Sequence, residues 1–277
     1  CAGNYFLVLD GPAPLYIGGL IKEILARNTF INEYIHFNPI FVPNSISYII
    51  TTPLLCFFSP HLAEKIFLLC YFVGLPYSFR YCVYAINKQQ KYIAFLAVPF
   101  TYNFLMMISF YNFCMGFVFM FLTVGFFYKH IMTENTKWHH YLVLFILFVL
   151  AYCCHIVVFG LLLICILFLY TWFLIVKFNF SIAKWFNAKT FSLIFISLPV
   201  LYLSWVYFKT IHAAPGQFLY LKNKELLDFF ISARFFTIFN EGIENVHSGF
   251  LAILYISAFF ICIYLFLQNI STSLFKN

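Results

Sequence analysis

The residues able to do chemistry are few enough to weigh one at a time. Asp10 follows the apolar stretch Tyr5 to Leu9 and precedes Gly11-Pro12, a dipeptide that marks a turn. A carboxylate presented there can take a proton as a general base. It can equally cap a helix that starts at Pro12, because proline is favoured in a first helical turn. Lys22, Arg27, His61 and Lys65 are groups that can pair with a phosphate, arginine by a bidentate fork and lysine as a point charge. Each also suits a plainer role, anchoring a helix by reaching its charged head toward water.

His155 sits beside Cys153 and Cys154 with no second ligand at helical spacing, so a metal site is not indicated. It reads either as a polar contact in a water-filled cavity or as a hydrogen-bonded structural histidine. Glu244 and His247 are three residues apart and share a face if that stretch is helical. They are a candidate pair for a site, or the end of a solvated loop.

The elements that must position these residues follow from composition. Of 277 residues, 64% are hydrophobic and 9% charged, with 41 Phe and 20 Tyr. An ordinary globular chain carries about 25% charged residues, so this one cannot coat a water-facing surface and must use the bilayer as its main solvent. A secreted disulfide scaffold, a disordered tail and a nucleic-acid-binding domain are excluded. The nine cysteines show no CxxC pair or zinc spacing, and most behave as small hydrophobes. The net charge of +7 is read first as topology.

A transmembrane helix needs about 20 mostly apolar residues. Seven segments qualify: 62–85, 92–109, 111–128, 141–153, 155–176, 190–211 and 249–268. The apolar run from Tyr141 to Val176 is too long for one helix and is split at Cys153-Cys154-His155, where its only ionisable side chain before the end falls. Residues 45–58 are too short to cross and are punctuated by prolines, so they are expected as a re-entrant or interfacial helix. The fold class is therefore all-α, a polytopic bundle of about seven spans. The expected organisation is a first loop with juxtamembrane helices (1–61), a six-span core (62–211), a second loop (212–248), and a seventh span with its tail (249–277).

Lys88, Lys91, Lys129, Lys137, Lys177, Lys184, Lys189 and Lys276 fall in alternate short connections or the tail, with only Glu134 among the acids. The positive-inside rule places these connections in the cytoplasm. Residues 1–61 and 212–248 then face outward and hold the other eight acids or border them. The expected location is the plasma (inner) membrane, crossed many times. The chain starts at Cys1 with no helix to carry its first residues across. A preceding span beyond this sequence is expected, and an acylated Cys1 is the alternative.

Within the first loop, apolar residues at 17, 20, 21, 24 and 25 oppose Lys22, Glu23 and Arg27, the spacing of an amphipathic helix lying on an interface. His36-Phe-Asn-Pro39 and Val42-Pro-Asn44 make the next turn. This order (an outer carboxylate, a juxtamembrane amphipathic helix, a proline-rich turn with a second short helix, then many spans) resembles the GT-C glycosyltransferases, including the protein O-mannosyltransferase and aminoarabinose-transferase types. The resemblance covers residues 5 to about 90. Asp10 matches the first-loop acid of that family, with Gly11 where a second acid is usual. Asn38-Pro39 through Tyr48 corresponds to the proline-rich turn and its helix. Lys65 falls where many members carry an arginine.

The resemblance implies transfer of a sugar from a polyprenyl-phosphate carrier to a glycan, lipid or protein acceptor on the outer face. Asp10 would be the base or acceptor-orienting acid, and Lys65, His61, Lys22 and Arg27 would lie near the carrier phosphate. His155, His247 and Glu244 are candidate cavity groups. The leaving phosphate calls for cations or a divalent metal; no cofactor motif is present. Beside the bilayer and the lipid-linked sugar, no nucleic-acid partner is expected. Two other classes stay open. A transporter or flippase would need ionisable groups at mid-membrane, which the spans nearly lack, and a non-catalytic assembly subunit would need no site at all.

Overall fold

The computed structural model describes residues 12–27, 29–35, 41–101, 103–107, 109–133, 136–178, 181 and 185–210, together with 253 and 257. The described residues are helical, with no strand among them. In chain order the helices are α1 (Pro12–Leu25), α2 (Thr29–Tyr34), α3 (Ile46–Leu55), α4 (Pro60–Ile86), α5 (Phe104–Met107), α6 (Tyr111–Phe126), α7 (Trp138–Cys154), α8 (Ile156–Phe178) and α9 (Ala188–Thr210). The chain divides into two compact units, Cys1–Ala214 and Pro215–Asn277, and α1 to α9 belong to the first.

Among the described residues, four helices are long and apolar enough to cross a membrane: α4, α6 with the π-helical turn Phe127–Ile131 that extends it, α8 and α9. Large apolar side chains such as Leu69, Ile164, Phe168 and Phe195 stand exposed along them, which only a lipid solvent tolerates over so wide a surface. Local chemistry sets their ends. Pro60 opens α4 behind Ser59, where its missing N–H is no loss. Asn187 accepts the Thr190 N–H at 3.1 Å and so caps α9.

The expected span 92–109 is not one helix. It is replaced by 3-10 segments at Lys88–Ala97 and Pro99–Thr101, followed by the short α5. The cause is local. Pro99 interrupts the run, and Asn103 starts a new helix by accepting the Met106 N–H at 3.0 Å while donating to the Phe100 carbonyl at 2.8 Å. Counting apolar residues does not register either effect. The expected segment 141–153 corresponds to α7, which at 17 residues is short for a span. The expected last span and the loop before it lie outside the described residues apart from positions 253 and 257.

Close helix approach depends on glycine. A β-carbon on Gly125 of α6 would lie 2.8 Å from the Cys82 backbone of α4, and one on Gly116 would lie 3.1 Å from Val158 of α8. Small residues at such crossings let backbones meet where no hydrophobic force drives helices together. Two buried clusters result. Ile46, Phe67, Tyr71, Met106 and Tyr111 join α3, α4, α5 and α6. Phe127, Phe148, Tyr152 and Phe159 are central to the other, between the far end of α6, α7, α8 and α9.

Candidate functional site

The expected break at Cys153-Cys154-His155 is present: α7 ends at Cys154, His155 is extended (φ −162°, ψ 132°), and α8 begins at Ile156. Ending a helix orphans its last carbonyls, and in an apolar surrounding each needs a partner. The segment leading into α3 supplies them. The Ser45 N–H donates to the Cys153 carbonyl at 2.8 Å and the Asn44 N–H to the Cys154 carbonyl at 3.2 Å. Asn112, at the start of α6, closes the arrangement by accepting the Ser47 N–H at 2.8 Å and donating to the Asn44 carbonyl at 2.9 Å. Asn44 holds a left-handed backbone, φ 63°, a conformation asparagine tolerates better than most residues. The short helix expected as re-entrant or interfacial is thus docked into the bundle, tied to the start of α6 and the end of α7. It also buries the Ser47 and Thr51 hydroxyls, which have no partner among the described residues.

At this same end lies a half-buried carboxylate. Glu64, on the first turns of α4, receives a 3.0 Å hydrogen bond at Oε1 from the Tyr111 hydroxyl, the residue beside Asn112. Tyr111 is only 3% exposed, and its ring packs against Phe67, centroids 5.7 Å apart. The connection into α6 passes through Ser109 at φ 66°, a backbone that side chains rarely adopt. His61 and Lys65, both exposed, flank Glu64 on α4. Two of the candidate phosphate partners thus stand within one helical turn of an acid, Glu64.

His155 is half-buried beneath the Phe113 ring, centroids 4.9 Å apart. Its Nδ1 accepts the Val157 N–H at 3.2 Å, so the ring caps α8 and must be unprotonated at that nitrogen. Burial holds its pKa below the usual histidine value. Of the two readings offered by the sequence, the structural one has an identified hydrogen bond. Lys22, half-buried, and Arg27, exposed at φ 58°, lie on or just after α1. That helix packs on α3, where the Thr52 hydroxyl donates to the Gly18 carbonyl at 3.3 Å. Asp10, Glu244 and His247 lie outside the described residues.

The far end of the bundle has a different character. The rings of His130, His139 and His140 cluster, His140 lying 4.8 Å from His130 at a tilt and 4.4 Å from His139 edge-on. Lys189 caps the carbonyls of Ile131 (2.8 Å) and Thr133, near Lys129 and Lys137 in the chain. Among the described residues no group of three His, Cys, Asp or Glu side chains is placed to hold a metal ion.

Glu64 and Tyr111 were missed because Glu64 sits between two residues that resemble interface anchors. The available signal was an acid inside an apolar run counted as a span, a position where charge is rare and usually functional. No family model matches the chain, and no curated protein or solved structure matches it. The class defined by the fold is a helical membrane protein, with four helices apt to cross the bilayer and a polar seam where the ends of several helices meet.

Proposed function

We propose that the chain is an integral-membrane glycosyltransferase of GT-C type. It would move a sugar from a polyprenyl-phosphate carrier to a glycan, lipid or protein acceptor on the extracytoplasmic face of the plasma membrane. In this reading the chain crosses about seven times, with α1 lying along the outer interface and α3 re-entrant from that side. Asp10 is the base or the acid that orients the acceptor. His61 and Lys65, with Lys22 and Arg27 on the neighbouring segment, draw in the carrier phosphate.

The observation that carries the reading is the polar seam itself. The acid and amide groups of α4 and α6 lie at the same end of the bundle as His61 and Lys65. The middles of the four long apolar helices hold no acid. A lipid-linked sugar has its phosphate and reacting carbon at the depth of such a seam and its tail in the surrounding lipid. An ion-coupled carrier would need charge at mid-membrane.

The test uses the full-length chain in nanodiscs with an envelope extract as the source of glycan, lipid and protein acceptors and with polyprenyl-phosphate mannose or polyprenyl-phosphate arabinose tritiated in the sugar, reading release of polyprenyl phosphate and transfer of label to the acceptor fraction. The wild type is expected to consume one donor, and Asp10→Asn to lose about 100-fold or more of that rate. A wild type that consumes neither donor overturns the proposal.

A further inference from the structure

Glu64 is the most conspicuous group that the proposed mechanism leaves unused. It is the only acid on the four long apolar helices, and a carboxylate partly withdrawn from water is costly unless it is hydrogen-bonded. It is held: the Tyr111 hydroxyl occupies Oε1 at 3.0 Å. Both residues stand on the first turns of long helices, α4 and α6, which pack together through Gly74 and Gly125. Tyr111 cannot swing away, because it is buried against Phe67, and Asn112 beside it is fixed to α3 by two hydrogen bonds. A carboxylate carried on rigid helices and oriented by a locked donor is the construction that catalytic geometry demands.

We infer that Glu64 is the general base of the site and Tyr111 its positioning residue, which leaves Asp10 to orient the acceptor. This rests on the transferase reading above. The acceptor hydroxyl donates to the carboxylate oxygen not engaged by Tyr111. As the acceptor oxygen forms its bond to the anomeric carbon, its proton passes to Glu64. The bond from that carbon to the carrier phosphate oxygen breaks, and the electron pair leaves with the phosphate. Glu64 then returns the proton to water. No oxidant or reductant enters the step.

The experiment compares wild type, Glu64→Gln, Glu64→Ala and Tyr111→Phe in the same nanodisc assay. Glu64→Gln and Glu64→Ala are expected to lose about 100- to 10,000-fold in kcat, with the donor KM within threefold. Sodium formate, a small carboxylate able to stand in for the missing base, is expected to restore part of the Glu64→Ala rate and none of the Tyr111→Phe rate. Tyr111→Phe, which keeps the base but loosens it, is expected to lose about tenfold in kcat. Far-ultraviolet circular dichroism reports folding. If the Glu64 variants do not fold, the kcat of Tyr111→Phe decides, and an unchanged value overturns the inference. An active wild type with Glu64→Gln within threefold of it, or a folded Glu64→Ala that formate does not revive, overturns this assignment alone. A wild type that consumes no donor overturns the assignment and the transferase reading together.

Discussion

The Tyr111 hydroxyl donates to the Glu64 carboxylate across 3.0 Å, joining the first turns of two long helices. Tyr111 is almost wholly buried, so its hydroxyl has no water to fall back on. Removing one partner of such a bond leaves the other unsatisfied, which costs about 1–3 kcal/mol. Tyr111→Phe and Glu64→Ala should therefore each lower the thermal midpoint in nanodiscs. A double-mutant cycle should return a coupling of about 0.5–3 kcal/mol. Additive effects would mean that the bond contributes no stability.

The glycines offer a matched pair. At Gly125 a β-carbon would stand 2.8 Å from the Cys82 backbone, whereas at Gly19 it would meet nothing within 4 Å. Gly125→Ala must push α4 and α6 apart and should cost about 1–3 kcal/mol. Gly19→Ala lies within α1 and should be neutral or stabilising by up to about 1 kcal/mol, because alanine orders a helix at lower entropic cost. Thermal unfolding of both variants checks the contrast, and equal effects would contradict the packing described.

His155 predicts a pH dependence. Burial lowers its pKa in the folded chain, and its Nδ1 accepts the Val157 N–H, so the fold binds the neutral ring. The unfolded chain takes up the proton first as pH falls. The stability contribution is therefore full above the ordinary histidine pKa of about 6.5 and is lost as pH drops through the lower, folded value. The thermal midpoint should fall between pH 7 and pH 5 in the wild type, and part of that slope should vanish in His155→Asn. An identical slope in both would assign the pH dependence to other groups.

The two ends of the bundle should face opposite solvents. His61 lies at the seam and Lys137 precedes α7 at the far end, near the cluster of His130, His139 and His140. With the native cysteines replaced, His61→Cys should react with an impermeant maleimide only from outside the cell. Lys137→Cys should react only after the membrane is opened. Labelling of both from one side would invert the reading of the lysines or remove it.

How much of this was legible depended on whether a feature was local. The break at His155 could be read because one ionisable residue interrupts a long apolar run, and interruption is visible in sequence. That Asn103 and Asn112, amides set in apolar runs, need partners follows from residue type; which partners they take does not. The segment 92–109 was misjudged because an apolar count cannot weigh the cap formed by Asn103. Glu64 was overshadowed by Lys65, which the family resemblance favoured and which occupies the next position. The docking of α3 left no trace, because Ser45 and Cys153 are 108 residues apart and neither residue type advertises the bond.

That distance bears on how the chain is made. As synthesis proceeds, the amides of Asn44 and Ser45 emerge long before the carbonyls of Cys153 and Cys154 that will receive them. Until then only water can satisfy them. Helix α3 therefore takes its docked place only after α4 and α6 have been made and the end of α7 arrives. The order of assembly is not the order of the sequence. A truncation before α7 would strand the earlier helix, however well the rest had inserted.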